Sequence, residues 1–449
     1  MFPSQTDTIA AISTPPGEGA ISVVRISGAR AIEIGAEIFT GPVHTYATHT
    51  AHYGKILNRE GQTLDSVLLL VMRSPRSYTG EDSVEISCHG GSLIARRVLE
   101  RIYEAGARPA QPGEFSLRAF LNGKLDLAQA EAVQQLIAAK NTLALESAEK
   151  QLEGVLSQTI GRFQKELTEI AAILEAWVDF PEEGLEFSTM EEICASLEAV
   201  CLQMETLRAT FHDGRMLHEG ISLCLLGAPN VGKSSLMNAL LGKERAIVTE
   251  IAGTTRDLIE EDLRLGPLHF RLIDTAGIRD TDEIVEQEGI RRSQQAMKKA
   301  DLILLLLDAS RPLSPSDRAL LEAVPPEKTV LVWNKTDLAS PPEPIPAISI
   351  SARNRIGLDS LRAAIEKQIW KNGPPSKEEI VITQQRHYQA LANAIASCRA
   401  VISGLKENVS AEFVASDLRN SLHELGKIIG TNVGEDILSA IFSKFCLGK

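Results

Sequence analysis

One stretch constrains this chain more than any other: Gly227-Ala-Pro-Asn-Val-Gly232-Lys233-Ser234. It follows the apolar run Ile221–Leu226 and precedes a helix-like segment. A glycine-rich turn between a buried strand and a helix gathers backbone N–H groups at one point. The helix N-terminus adds partial positive charge there, a geometry that suits phosphate. Such a strand needs a sheet around it. His269–Ile273, Leu302–Leu307, Thr329–Trp333 and Ala347–Ile350 are further short apolar runs, with helix-like segments between them. Buried runs alternating with helices predict a mostly parallel sheet covered on both faces.

The turns after these strands carry the chemistry. In the first, Asn230, Val231, Gly232, Lys233, Ser234 and Ser235 form the expected cradle. Lys233 is expected to reach the β- and γ-phosphates and Ser234 to ligate Mg²⁺. Asp274-Thr275-Ala276-Gly277 ends the next run; its carboxylate suits the outer coordination of magnesium and the Gly277 N–H suits a γ-phosphate. Asn334-Lys335-Thr336-Asp337 follows Thr329–Trp333. Asp337 can accept from both the N1–H and the exocyclic amine of guanine, a pair of donors that adenine lacks. Ser351-Ala352-Arg353 follows the last run, where the Ala352 N–H can meet guanine O6. Between the first turn and Asp274 lies Gly253-Thr254-Thr255-Arg256-Asp257, the place for a loop that offers Thr255 to Mg²⁺ and the γ-phosphate. Motifs in this order predict a GTP hydrolase rather than an ATPase.

One position departs from many GTPases: Ile278 follows Gly277, where a water-orienting Gln is common. Catalysis then needs another device. Asn230 offers an amide oxygen for a monovalent cation near the β/γ bridge, and the acidic run Asp282–Glu286 offers a carboxylate to orient water.

The rest of the chain changes texture around this segment. Residues 1–120 mix strand-like runs (Ala20–Ile26, Val67–Met72, Val84–Ser87) with turns, and residues 121–215 read as helix. Leu125, Ala128, Ala132 and Leu136 lie at helical spacing, and Pro181 interrupts the helical stretch. The α/β segment occupies 216–374, and helix returns over 375–449, so an α/β domain inserted in a helical domain is expected. The 449 residues carry a formal net charge of −13, which excludes a protein built to coat nucleic acid, so any RNA contact has to be local. The aromatic content of 4% argues against rows of base-stacking rings. Cys88, Cys194, Cys201, Cys224, Cys398 and Cys446 form no Cys-x-x-Cys pair and suggest neither a zinc site nor a disulfide framework. With no signal-peptide pattern and no apolar run of membrane-spanning length, a cytoplasmic protein without a membrane partner is expected.

Beyond the nucleotide motifs, the chain carries Asp7-Thr-Ile9, Pro15-Pro-Gly17, Arg25-Ile-Ser-Gly28, Tyr78-Thr-Gly-Glu-Asp82, His89-Gly-Gly91 and Pro112-Gly-Glu-Phe115. The long block Ala119–Glu131 and the terminal Phe445-Cys-Leu-Gly-Lys449 follow. Through these blocks essentially the whole sequence resembles the MnmE (TrmE) family of tRNA-modification GTPases. The resemblance implies an N-terminal α/β domain that binds folate and forms the homodimer, a helical domain, and an inserted Ras-like P-loop G domain. It implies a 5-formyltetrahydrofolate site at Arg25, Glu85 and Lys124 with Lys449 nearby. It further implies potassium-stimulated hydrolysis, with K⁺ near Asn230, Thr249, Ile251 and Thr254, and with Glu286 orienting water. The implied reaction adds a carboxymethylaminomethyl or aminomethyl group to the wobble uridine of tRNA. The implied partner is MnmG, which carries FAD and joins in a heterotetramer. Cys446 matches a near-terminal cysteine considered for that chemistry; a small buried hydrophobe is the other reading. Leu447 stands where the family commonly has Ile. The P-loop motifs leave one other function open, a GTPase that times assembly of an RNA–protein particle; a folate binder whose GTPase is vestigial is disfavoured by the intact Lys233, Ser234, Asp274 and Asp337.

Overall fold

The computed structural model describes residues 7–179, 189–241, 262–265, 268–273, 295–370, 373, 379–407, 409–446 and 448. The chain divides into two compact units. One comprises Met1–Ile137, Ala148–Glu205 and Gln389–Lys449; the other comprises Ala138–Ser147 and Thr206–Tyr388.

The first unit opens with β1 (Ile9–Ile12), β2 (Ile21–Ser27), α1 (Ala31–Ile38), β3 (Thr50–Leu57), β4 (Thr63–Met72), β5 (Ser83–His89), α2 (Ser92–Glu104), β6 (Arg108–Pro109) and α3 (Glu114–Leu121). The strands form a sheet of order β3-β4-β5-β2-β1-β6, antiparallel except at β1–β6. Alternation decides its faces. Val24, Ile26, Val67, Leu69, Val71, Val84 and Ile86 share one core with Ile34 and Ile38 of α1 and Val98 and Ile102 of α2. The intervening Ile21, Tyr53 and Leu68 are exposed. Sequence reading anticipated β2, β4 and β5 but not β3, whose exposed Ala51, Tyr53 and Lys55 dilute the apolar signal.

Helices α4 (Leu127–Ala138), α5 (Thr142–Leu152), α6 (Val155–Asp179) and α7 (Met190–Ala209) follow. In α4, Ala128 and Ala132 are fully buried, but Leu125 precedes the helix and Leu136 is half-buried.

The second unit continues with α8 (Phe211–Glu219), β7 (Ile221–Leu226), α9 (Lys233–Leu241), β8 (Asp262–Leu265), β9 (Leu268–Ile273), β10 (Leu302–Asp308), α10 (Pro315–Ala323), β11 (Thr329–Asn334), β12 (Ile348–Ser349) and α11 (Leu358–Ile369). Its sheet runs β12-β11-β10-β7-β9-β8, parallel except for β8 against β9. Leu302, Leu304 and Leu306 of β10 enter one core, while Ile303, Leu305 and Leu307 enter another. The sheet is therefore covered on both faces, as expected of its unbroken apolar runs. One detail differs from the expectation: β12 is shorter than Ala347–Ile350, with the Ile350 N–H closing its ladder on the Trp333 carbonyl at 2.8 Å, while the antiparallel edge strand β8 fits a mostly parallel sheet.

The chain returns to the first unit with α12 (Gln385–Lys406), α13 (Ala411–Ile429) and α14 (Glu435–Phe442). Arg419 pairs with Glu175 of α6, and Lys406 with Glu198 of α7. These exposed pairs set register more than stability; the packing comes from buried Phe163, Leu167, Leu174, Leu197, Met204, Leu391, Leu418 and Leu425. The fold is thus multidomain, α/β combined with all-α parts. Among the described residues, no helix is long and apolar enough to cross a membrane.

Candidate functional site

The strand β7 is buried along its whole length and delivers the chain to Gly227 at the C-terminal edge of the parallel sheet. Gly227 has φ +148° and Gly232 has φ +103°, backbone that favours glycine. A Cβ on Gly227 would stand 2.6 Å from the Leu306 carbonyl, and one on Gly232 would strike the Asn334 amide. Asn230 turns the loop at φ +62° and is exposed. The loop then enters α9, which begins at Lys233. The Lys233 ammonium donates to the Gly227 and Ala228 carbonyls at 2.8 and 3.2 Å. Val231 is fully buried, Ser234 half-buried and Ser235 exposed.

Asn334 ties this loop to two others. It is 2% exposed; its amide donates to the Val231 carbonyl at 2.9 Å and accepts from the Ala352 N–H at 3.0 Å. Lys335 adopts φ +65°, and its ammonium meets Asp308 at 2.7 Å. Thr336 bonds the Ile350 carbonyl through both its N–H and its hydroxyl, at 3.2 and 2.9 Å. Ser351 and Ala352 are buried, and Ser351 closes a turn with Ile356. Asp337 and Arg353 are exposed. Four turns, after β7, β10, β11 and β12, are thereby linked by named hydrogen bonds. Among the described side chains that bond these turns together, Asp308 lies outside the sequence motifs; it shows only in the ladder, where it lies opposite Asn334.

The expectations for Thr249, Ile251, Thr254, Thr255, Asp274, Thr275, Ala276, Gly277, Ile278, Glu286 and Lys449 fall on positions outside the described residues.

A second polar site in the first unit is built from side chains of β2 and β5. Arg25 on β2 and Glu85 on β5 are register partners, joined at 2.8 Å. The guanidinium stands over the Tyr78 and Phe115 rings, 5.4 and 5.6 Å from their centroids. Its Nη1 is buried and has no hydrogen-bond partner among the described residues. Burial raises the Tyr78 phenol, opposed by its 2.7 Å bond to Ser116 and by the charge of Arg25. Lys124 is exposed and donates to the Pro75 carbonyl at 3.1 Å, on the loop that carries Tyr78. Arg25 and Glu85, both named from sequence, are brought together, and the structure adds Tyr78 and Phe115, which sequence did not single out as site residues.

The tail segment lies close by in the same unit. The Ser13 hydroxyl donates to the Gly448 carbonyl at 3.2 Å, just past β1. Phe445 is buried beside Phe442 and Leu117, whereas Cys446 is exposed, not a buried hydrophobe.

The helix α3 that supplies Phe115 also carries a dense ionic cluster. Arg118 on α3 reaches Asp7 at 2.6 Å, Glu81 at 3.1 Å and Glu114 at 3.1 Å. Arg108 reaches Asp7 at 2.5 Å and also pairs with Glu114. Burial would raise the Glu114 carboxyl, but hydrogen bonds from Arg108 and Gln111, with the charges of Arg108 and Arg118, hold it below the ordinary carboxylate range.

Comparison with known proteins gives two family models: "GTP-binding protein TrmE N-terminus" over residues 8–124 and "MnmE helical domain" over residues 127–446. A protein of Protochlamydia amoebophila named tRNA modification GTPase MnmE is 59% identical over 449 residues, covering 99% of this chain and 98% of that one. One of the same name from Chlamydia trachomatis is 45% identical over 448 residues, covering 99% and 100%. Among solved structures, the G domain of the T. maritima FeoB iron transporter is 27% identical over 33% of this chain and 98% of that one, with a TM-score of 0.25. Aquifex aeolicus Era bound to GDP and AlF4⁻ is 26% identical over 40% of this chain and 67% of that one, with a TM-score of 0.26.

Proposed function

The chain belongs to the MnmE (TrmE) family and is a GTPase that acts in tRNA modification, and from that premise we propose a finer reading. It hydrolyses GTP with potassium stimulation. With a flavin-dependent partner of the MnmG type, it modifies the wobble uridine of tRNA using a tetrahydrofolate one-carbon unit.

The unpartnered Nη1 of Arg25 carries this reading. A buried guanidinium N–H without an acceptor costs free energy unless a ligand supplies one. The acceptor required is an oxygen or ring nitrogen, flanked by the Tyr78 and Phe115 rings and the Glu85 carboxylate. A reduced pterin offers donors for Glu85, ring nitrogens for Arg25 and a flat face for the aromatic rings. When bound, formyltetrahydrofolate would supply the one-carbon unit. Lys124, and Lys449 beyond the described residues, would meet its glutamate carboxylates. A GTPase that only timed particle assembly would have no use for such an unmet donor.

In the second unit, Asn230, Val231, Gly232, Lys233, Ser234 and Ser235 would hold the phosphates, and Ser234 with Thr255 would hold Mg²⁺. Asp337 with the Ser351–Arg353 turn would read guanine. The exposed amide of Asn230 fits a K⁺ ligand; the ion would supply positive charge that Ile278 cannot replace. Glu286 would orient the water. The exposed Ile21, Tyr53 and Leu68 of the N-terminal sheet suit pairing with a second copy, a homodimer. In this reading residues 1–120 carry folate and the dimer contact, and 216–374 carry the nucleotide.

The test is a titration of the full chain with 5-formyltetrahydrofolate, wild type against Arg25→Met, alongside nucleoside profiles of tRNA from cells lacking the protein. Saturable binding lost in the variant, with wobble uridines left bare, is expected. Unmodified binding in Arg25→Met, or intact wobble modification, would overturn the reading.

A further inference from the structure

We infer that Asp308, which lies outside every nucleotide-binding motif, is a positioning residue that fixes Lys335 for guanine-nucleotide binding. This rests on the proposed role of the Asn334–Asp337 loop.

Asp308 ends β10 directly opposite Asn334 in the parallel ladder. The Ala309 N–H bonds the Asn334 carbonyl at 2.9 Å, so the two turns leave the sheet side by side. Asp308 is 5% exposed, and both its oxygens are engaged. Oδ1 accepts from the Ser310 N–H at 2.9 Å and the Ser310 hydroxyl at 2.6 Å. Oδ2 accepts from the Lys335 ammonium at 2.7 Å. The Arg311 guanidinium stands 3.8 Å from Oδ2 and is itself held by Asp317 at 3.2 Å. Burial pushes the Asp308 carboxyl up, but Lys335 and Ser310 hold it below the ordinary range, so it stays charged at neutral pH.

A carboxylate that is 5% exposed and already accepts three hydrogen bonds is poorly placed to meet a ligand, which separates it from an exposed base-reading residue such as Asp337. What it does hold is a lysine in a backbone conformation that L residues seldom adopt. The lysine stem has four rotatable bonds, and freezing them during nucleotide capture would weaken binding. The ion pair sets them beforehand, while Asn334 fixes the same turn from the other side through Val231 and Ala352. Asp308 therefore acts on affinity through pre-organisation rather than through contact.

The experiment measures binding of a ribose-labelled fluorescent GDP to the full chain with Mg²⁺ and K⁺, and steady-state GTP hydrolysis. Asp308→Asn keeps the shape and removes the charge. It is expected to weaken binding about tenfold, the scale of one lost charge-assisted contact. KM for GTP should rise while kcat stays within about twofold of wild type. Lys335→Met should weaken binding to a similar degree, and adding Asp308→Asn to it should cost nothing more. Asp308→Glu, which keeps the charge, should recover part of the affinity and guards against a folding artefact. Wild-type affinity in Asp308→Asn beside an impaired Lys335→Met would overturn the inference alone. So would additive losses in the double variant. Wild-type affinity in Lys335→Met would instead overturn the reading of the loop beneath it.

Discussion

Arg118 is the residue whose removal has the clearest worked consequence. The residue is 4% exposed, and its guanidinium lies among the carboxylates of Asp7, Glu81 and Glu114, with one further bond to the Asp7 carbonyl at 2.9 Å. Arg118→Met keeps most of the volume and removes the charge. Breaking a buried ionic set by deleting one partner costs about 3–5 kcal/mol. Arg108 still serves Asp7 and Glu114, and Ser27 still donates to Glu81 at 2.8 Å, so the lower end, about 3 kcal/mol, is expected. Hydrogen exchange of β1 and α3 amides at pH 7 reads this locally, and about 3 kcal/mol corresponds to roughly a hundredfold loss of protection. The pH dependence has a definite sign. In the wild type the Glu114 carboxyl lies below its ordinary 4.5, so its stabilisation is complete above that pH and is lost as pH falls through the lowered value. Losing Arg118 raises that carboxyl, and protonation then relieves the variant first. The gap between variant and wild type should therefore hold from pH 7 down to 4.5 and narrow only as the pH falls below it. Protection within about threefold of wild type at pH 7, or a gap that widens on acidification, would refute this account of the cluster.

Asn334→Ala removes both bonds that tie the phosphate loop to the turns after β11 and β12, and GTP affinity should drop by at least about tenfold in a fluorescence titration. Asp337→Asn should shift preference from guanine to xanthine nucleotides in a competition assay; retained guanine selectivity would remove its base-reading role. Potassium should accelerate hydrolysis over sodium at equal ionic strength, and equal rates would defeat the cation role of Asn230. Gly113→Ala places a side chain at φ +69° against the Phe442 carbonyl, and a loss of about 1–3 kcal/mol should appear in thermal melts as an earlier transition of the first unit.

The α/β unit was the most legible part of the fold. Its strands are continuous apolar runs because both faces are covered, so Ile221–Leu226 and Leu302–Leu307 announce themselves without alternation. The N-terminal sheet is half-open, and its strands alternate weakly. Two-residue β6 exists only because β1 offers it a ladder. The nucleotide turns were legible because phosphate and guanine impose residue types at fixed places. Asp308 was not, since its role depends on the ladder that sets it beside Asn334. Tyr78 and Phe115 carry no chemical label of their own and become informative only when Arg25 is seen above them.

The first unit is assembled from segments on either side of the second, and that order has a cost during synthesis. Helix α6 leaves the ribosome long before α13, the helix it packs against, because Thr206–Tyr388 must be translated in between. At usual elongation rates this delay is on the order of ten to forty seconds. Through that interval the apolar stripe of α6, with Phe163, Leu167 and Leu174, has no native cover from the C-terminal helices. The newborn chain is then a natural client for a holdase chaperone, and synonymous codons that slow the intervening stretch would lengthen its exposure.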